Sequence, residues 1–185
     1  MRITFVSLSF ALFGAPLGAC GKPSALSDQQ PCPDGAAVVS ELRDAADGKV
    51  GSERCMLGDQ ANGPSVTWSK GKKVSDSNYA RGKLHGRHRE WNEGVPHVDF
   101  GYADGVLEGP CTWFDSAGKK TLEATFVKGA PAGVVTSWQD GIVIRQGECA
   151  DGSPRAGTWR CWSPLESHPE RECGDADLAV LCERQ

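Results

Sequence analysis

The sequence is poor in apolar residues and carries no excess of positive charge. Hydrophobic residues make up 39% of the 185 residues. An average globular domain has roughly 45–50%, so a deep core is not expected and a thin or elongated architecture fits better. The formal net charge is −4, which argues against nucleic acid as a partner because phosphate binding requires clustered Lys and Arg. The length allows one ordinary domain.

Residue patterns typical of enzymes are also missing. No nucleophile elbow, phosphate-binding loop or recognisable Ser-His-Asp spacing is present. The four histidines are His85, His88, His97 and His168. His85 and His88 are three residues apart on a predicted strand and would point to opposite faces, so they are not expected to form a metal pair. We therefore expect no catalytic residue, no metal and no cofactor.

The N-terminal apolar run is too short to span a membrane. An apolar run over residues 3–17 follows Met1-Arg2, and the small residues Gly18 and Ala19 stand between this run and Cys20. A basic start, an apolar middle and small residues at the end are typical of an export signal. A spanning helix would need about 20 apolar residues. We interpret residues 1–19 as a signal peptide.

The end of this segment, Leu17-Gly-Ala-Cys20, resembles the lipobox of bacterial lipoproteins. The resemblance implies cleavage before Cys20 and acylation of that cysteine, which would anchor the chain to a membrane of the bacterial cell envelope, with the outer membrane favoured. The alternative is an ordinary signal peptide cut near Ala19, with Cys20 as a disulfide cysteine. Residues 20–31 are polar or small with two prolines, and we expect them to form a lipidated tether.

A glycine–aromatic pattern recurs through residues 63–162. Each aromatic residue follows its glycine by five positions, and the glycines are 23, 23, 24 and 24 residues apart. The five pairs are Gly63 with Trp68, Gly86 with Trp91, Gly109 with Phe114, Gly133 with Trp138, and Gly157 with Trp162. A fixed period in this range is typical of a repeat array.

Within each repeat, turn glycines delimit two short predicted strands. Glycine supplies the positive φ of tight turns, and strands bounded in this way predict an antiparallel meander. If each turn is centred between its two glycines, Tyr79 lies opposite Arg89 and diagonal to Trp91 on one face. The same relation would join Tyr102 to Phe114 and Phe126 to Trp138.

The aromatic residues have two interpretations: the core of a thin sheet, or a surface for a sugar or a peptide. Arg87 and Arg89 share the predicted face of Trp91, which indicates that this face is open to solvent. Arginine beside tryptophan is a frequent hot-spot composition. The candidate binding face therefore consists of Tyr79, Arg87, Arg89 and Trp91.

The segment from Tyr79 to Gly94 reads Tyr-x-x-Gly-Lys-x-His-Gly-x-x-x-x-Trp-x-x-Gly. It resembles the bacterial variant of the MORN repeat, and the resemblance covers residues 63–162, with atypical first and last copies as capping requires. It implies a scaffold or binding platform. The expected fold is all-β: an elongated single-layer antiparallel meander of about five MORN-like β-hairpin repeats, with a short C-terminal cap.

Two caps are expected around the repeats. In the N-terminal cap, residues 32–62, a helix or a strand over residues 36–42 is possible; a Cys32–Cys55 bridge favours a hairpin with residues 43–52 as its loop. The C-terminal cap is residues 163–185. There, residues 175–182 are predicted to form a short helix that covers the edge of the last strand.

Eight cysteines indicate an oxidising compartment. Lipidation of Cys20 would leave seven, so one must stay unpaired. Cys111 is expected to be free, because it is three or more strands, on the order of 14 Å, from the cysteines of the last repeat. The preferred pairs are Cys32–Cys55, Cys149–Cys161 and Cys173–Cys182. A C-terminal loop that folds back would instead give Cys161–Cys173.

These features favour a non-enzymatic, membrane-anchored bacterial lipoprotein whose repeat sheet is a scaffold for protein partners. The alternative is an envelope glycan-binding module that uses the aromatic ladder. A secreted enzyme is the least expected function.

Overall fold

The computed structural model describes residues 31–45, 48–162, 170–171, 173 and 182. In these residues the regular structure is all β, and one open antiparallel meander runs in sequence order, with two short strands off its main path. The predicted fold class is therefore confirmed. The strands are β1 (Ala37–Ala45), β2 (Gly48–Leu57), β3 (Gln60–Ser69), β4 (Lys72–Ala80), β5 (Lys83–Asn92), β6 (Val95–Ala103), β7 (Val106–Phe114), β8 (Lys120–Val127), β9 (Ala130–Pro131), β10 (Gly133–Gln139), β11 (Ile142–Ala150), β12 (Ser153–Pro154), β13 (Arg160–Trp162) and β14 (Glu170–Arg171).

Several predicted segments lie outside the described residues. These are the signal peptide, all of the tether except residue 31, and the C-terminal helix except Cys182. Residues 43–52, predicted as a loop, instead belong mostly to β1 and β2. Within the described part of the chain, no helix has the length and apolar composition that a membrane span requires.

Two-residue turns join most neighbouring strands. In these turns a non-glycine residue with positive φ stands directly before a glycine, as in Arg81 (φ 51°) before Gly82 (φ 77°) and Asp104 (φ 50°) before Gly105 (φ 85°). Positive φ at both central positions is the type I′ turn, whose twist matches the twist of antiparallel strands. The tight turns of the meander follow from these dipeptides.

The repeat glycines, in contrast, lie inside strands. Gly86 has φ 89°, and the β4–β5 register shifts from Ser77 opposite His88 to Tyr79 opposite Leu84. Three residues of β5 therefore face a single residue of β4, which is a β-bulge. The expected pairing of Tyr79 with Arg89 is wrong, because the turn is tighter than assumed and the bulge takes up the additional residues.

The sheet has two faces of different composition, because successive side chains of a strand point to opposite sides. The core face carries buried apolar residues, which include Cys111, Ala124, Phe126 and Val135, each at most 3% exposed. The opposite side, here called the charged face, carries mainly hydrogen-bonding side chains. It is defined by the cross-strand row Val66, Asp76, Arg89, Asp99, Thr112, Glu123, Thr136 and Gln146.

The disulfides attach a chain segment to each end of the sheet. Cys32 is bonded to Cys55, as expected, with their Cα atoms 5.5 Å apart; this pair packs against Val66 on the charged face. At the other end Cys149 is bonded to Cys182, which lies in the core-face cluster. Cys32 and Cys182 therefore lie on opposite faces of the sheet.

The expected bridges Cys149–Cys161 and Cys173–Cys182 are wrong. Cys161 is bonded to Cys173, the alternative pairing, and Cys149 is bonded to Cys182. The reason is the register of β11: Cys161 lies opposite Arg145, four residues along the strand from Cys149. Four residues span about 13 Å, too far for a bridge. Cys111 is unpaired and buried.

Candidate binding face

A buried carboxylate on the charged face is paired with two cations. Arg89 donates from Nε to Asp76 Oδ1 at 2.9 Å and from Nη2 to Oδ2 at 2.6 Å. Lys73 Nζ lies 3.4 Å from the same Oδ2. The Asp76 side chain is 6% exposed, whereas that of Arg89 is 34% exposed. The two parallel hydrogen bonds fix the guanidinium plane and leave its outer edge at the surface.

The same two cations lie over Trp91. The Arg89 guanidinium carbon is 5.2 Å and the Lys73 Nζ is 5.4 Å from the ring centroid. Cations at this distance are attracted to the negative face of the indole. The ring surface that they cover is not free to stack on a sugar.

A second, more exposed ion pair lies beside the first. Arg87 donates to Asp99 through Nε at 2.8 Å and through Nη2 at 2.5 Å. The Arg87 side chain is 62% exposed and that of Asp99 is 28% exposed. The hydrogen bond to Asp99 raises the pKa of Arg87 further, against the opposing effect of burial. A shallow hollow beside this pair is lined by Pro110 and Thr112.

The arrangement recurs two repeats further along the chain. Lys120 forms an ion pair with Glu123 and lies 5.1 Å from the ring centroid of Trp138. Both residues of the pair are more than a third exposed. A cation that joins a carboxylate to a tryptophan is therefore a repeated unit of the charged face.

The structure brings together three of the four predicted residues. Arg87, Arg89 and Trp91 share the charged face. Tyr79 does not: it lies opposite Gly63, three residues from Asp76 in β4, and so points to the core face. Tyr102 and Phe126 belong to the core face as well, so their expected relation to the charged-face aromatics Phe114 and Trp138 is wrong.

Sequence reasoning missed the acidic partners of Arg87, Arg89 and Lys120. Asp76, Asp99 and Glu123 each stand three residues before an aromatic, at Tyr79, Tyr102 and Phe126 respectively. They recur at the repeat period, 23 and 24 residues apart. This periodic acidic position was the signal that could have identified them.

The core face holds one arrangement that resembles a catalytic relay. Ser77 Oγ is 2.8 Å from His88 Nδ1, and His88 Nε2 is 3.1 Å from Glu90 Oε1. Ser77, however, is 8% exposed and pairs with strand neighbours on both sides. Its backbone amide therefore belongs to the sheet ladder and not to an oxyanion hole, which acyl transfer needs. The contact is better explained as satisfaction of a buried hydroxyl.

No metal site is present in the described ranges, where no group of three or more potential ligands could hold a metal ion. His85 and His88 have separate partners: the backbone N–H of Asp104 donates to His85, whereas His88 contacts Ser77 and Glu90. The sequence matches no protein-family model and no curated protein.

Proposed function

We propose that this protein is a non-enzymatic lipoprotein of the bacterial cell envelope, anchored through Cys20, whose charged face binds a protein partner. The observation that carries the proposal is the group that the Arg87–Asp99 ion pair, Arg89 and Trp91 form on the charged face, where the side chain of Arg87 is 62% exposed and that of Arg89 is 34% exposed. Arginine and tryptophan held in a fixed geometry are the residues that most often dominate binding at protein interfaces.

The pairing of the arginines supports a protein partner over a sugar. Bidentate hydrogen bonds fix the guanidinium groups in place, which reduces the side-chain entropy that binding would cost. The cations over Trp91 and Trp138 occupy ring surface that a sugar would need for stacking. The glycan-binding alternative therefore has less support.

The proposed compartment and the proposed membrane anchor are both inferred from the cysteines. Three disulfides join cysteines far apart in sequence, and such bonds persist in oxidising compartments outside the cytoplasm. Leu17-Gly-Ala-Cys20 supplies the lipobox-like pattern, and the MORN-like pattern of residues 63–162 fits a binding platform.

The binding proposal is tested by crosslinking in cells from two sites of the full chain. A photoreactive residue replaces Thr125, which is exposed on the charged face, or Glu90, which is exposed on the core face. We expect a crosslinked protein from position 125 and a much weaker product from position 90. Equal products from both positions, or none from position 125, would contradict the assignment of the face.

The anchor is tested separately with Cys20→Ser. We expect the variant to lose its lipid and to leave the membrane fraction. An unlipidated variant that stays in the membrane fraction would contradict anchoring through Cys20, without any bearing on the charged face.

The non-enzymatic part is tested at Ser77. A fluorophosphonate probe reacts with activated serines, and we expect no labelling of the folded chain. Labelling that disappears in both Ser77→Ala and His88→Ala would show that the Ser77–His88–Glu90 contact is a catalytic relay.

A further inference from the structure

One edge of the sheet is long, regular and apolar. β1 pairs with β2 through nine consecutive residue pairs without a register shift, whereas every other long ladder of the described sheet contains one. Within the described residues β1 has a neighbour on one side only. Its large apolar side chains are exposed: Leu42 by 64%, Val38 by 50% and Val39 by 39%.

An edge of this kind invites pairing with another strand. Natural sheets protect their edges with short strands, prolines, lysines or bulges. At the other end of the described sheet, β14 has two described residues. β1 has nine residues, no proline, no lysine and no bulge. Its row of unpaired backbone groups fits the addition of an extended strand.

We propose that β1 pairs antiparallel with β1 of a second copy of this chain, with Leu42 on the two-fold axis. The two sheets would then continue into each other. The occupant is identified as a second copy because the charges of β1 complement themselves in this register.

The charges distinguish this register from its neighbours. With Leu42 at the centre, Glu41 of each copy lies directly opposite Arg43 of the other, and Leu42 meets Leu42. A register centred on Glu41 would place two glutamates opposite each other, and one centred on Arg43 would place two arginines opposite each other. Opposite charges across a strand pair stabilise it, and like charges destabilise it.

Both charged side chains are available for this pairing. The Arg43 side chain is 79% exposed and that of Glu41 is 43% exposed. Their present contact within one strand is 3.3 Å long, and Arg54 of β2 approaches Glu41 at 3.4 Å. In the dimer, Glu41 would lie between Arg54 of its own chain and Arg43 of the second copy.

The symmetry also fits attachment to one membrane. The two-fold axis of an antiparallel strand pair is normal to the sheet, so the charged faces of both copies look the same way. Cys32 packs on that face in each copy, and both N-terminal segments would leave on one side. The dimer itself does not depend on the proposed lipid.

Cysteine trapping tests the register. Residues on the axis have Cα atoms about 4.5–5.5 Å apart, within the range of a disulfide. Leu42→Cys in the full chain should therefore form a covalent dimer on a non-reducing gel. Ser40→Cys is the matched control, because residue 40 lies on the same face as residue 42 and is also exposed. In the proposed register, however, the two copies of residue 40 lie about 14 Å apart along the strands. We expect at least ~10-fold less covalent dimer from it.

A charge swap provides an independent measurement that does not depend on cysteine. Sedimentation velocity should show the full chain as a dimer, and Arg43→Glu should shift it to monomer. Adding Glu41→Arg should restore the dimer, which a merely misfolded variant would not do.

Three outcomes would overturn the proposal. One is a monomeric wild-type chain together with no dimer of Leu42→Cys. Another is an equal yield of covalent dimer from Leu42→Cys and Ser40→Cys, which would indicate that chains are linked by random collision. The third is a mixed disulfide of Leu42→Cys with a different protein in place of the homodimer, which would assign the edge to another partner.

Discussion

The two faces of the same sheet use their residues in different ways. The core face buries Phe126, Val135 and Cys111 almost completely and contains the packed rings of Phe100, Trp113 and Phe126. The charged face has two tryptophans, Trp91 and Trp138, in contact with cations, and it has carboxylates in ion pairs. One layer of strands therefore separates an apolar surface that holds the fold together from a surface whose polar side chains pair with one another.

This difference follows from the small apolar content of the chain. With 39% hydrophobic residues in the chain, the sheet can exclude water from one face over part of its length, but not from both faces. The polar residues left on the other face must satisfy one another, because an unpaired buried charge is costly. Ion pairs such as Arg89–Asp76 are the consequence, and they hold their side chains in fixed positions.

The largest expected effect is the loss of a core-face ring. Phe126→Ala removes a side chain that is 2% exposed, and we expect it to lower the free energy of unfolding by about 3–5 kcal/mol. Val127→Ala, at the next position of β8 and 46% exposed, should cost less than about 0.5 kcal/mol. Urea denaturation of both variants measures the contrast. Similar losses for the two would mean that the faces are not divided as described.

An intermediate effect is expected where the charged face is buried. Asp76→Asn removes the carboxylate that pairs with Arg89 and Lys73, and should cost about 1–3 kcal/mol, because Arg89 is partly exposed and can be hydrated in part. The control is Asp104→Asn, whose pair with Arg81 is exposed and should contribute at most ~0.5 kcal/mol. Equal costs would show that the burial of Asp76 has no energetic consequence.

A smaller effect is expected at the exposed part of the same face. Arg87→Gln breaks the ion pair with Asp99. Because Arg87 is 62% exposed, we expect the free energy of unfolding to fall by at most about 1 kcal/mol. This loss should shrink further in 1 M salt, where charges are screened within about 3 Å. Thermal denaturation at low and high salt measures it, and a large, salt-independent loss would contradict the exposed character of this pair.

The smallest effect concerns the free thiol of the core face. Burial raises the pKa of Cys111 above its usual value, so the folded state holds this proton more tightly than the unfolded state. The resulting stability is fully present below the usual thiol pKa and is lost as the pH rises through the raised pKa. Measurements of the free energy of unfolding between neutral and alkaline pH should show this decline in the wild type. The part of the decline that Cys111 causes should be missing in Cys111→Ala. An identical slope in both would contradict it.

Much of the fold could be predicted because glycine and aromatic residues recur at a fixed period. Gly86 and its equivalents set the repeat, and dipeptides such as Arg81-Gly82 set the turns. The register could not be predicted. The two-residue turn at Arg81-Gly82 is not midway between Gly82 and Gly86 as assumed, so Tyr79 lies opposite Leu84 and Gly63 and not opposite Arg89. The bulge at Gly86 then brings Asp76 opposite Arg89. In a sheet such a change decides which face a side chain joins.

The candidate face was predicted in part for the same reason. Arg87, Arg89 and Trp91 are alternate residues of one strand, so period two was enough to group them. Asp76 and Asp99 lie on neighbouring strands, and only the register places them opposite Arg89. The prediction of the disulfides in the last repeat was wrong for a similar reason. The segment around β12 moves Cys161 along β11, away from Cys149.

The central proposal is that the core face stabilises the fold and the charged face binds a partner. Its most direct test is to reverse one ion pair of the charged face without removing it. The double variant Arg87→Glu/Asp99→Arg keeps opposite charges at the two positions but inverts the charge pattern of the charged face. Its melting temperature and the yield of crosslinked partner from position 125 would be measured together in the full chain. We predict a melting temperature about 2–4 °C below wild type, because the exposed pair itself contributes little while the arginine at position 99 would lie opposite Arg89 and cost up to about 1 kcal/mol. We predict a crosslinking yield at least ~10-fold lower, because interface charges select partners. A stable variant that captures the partner as well as wild type would contradict binding through the charged face.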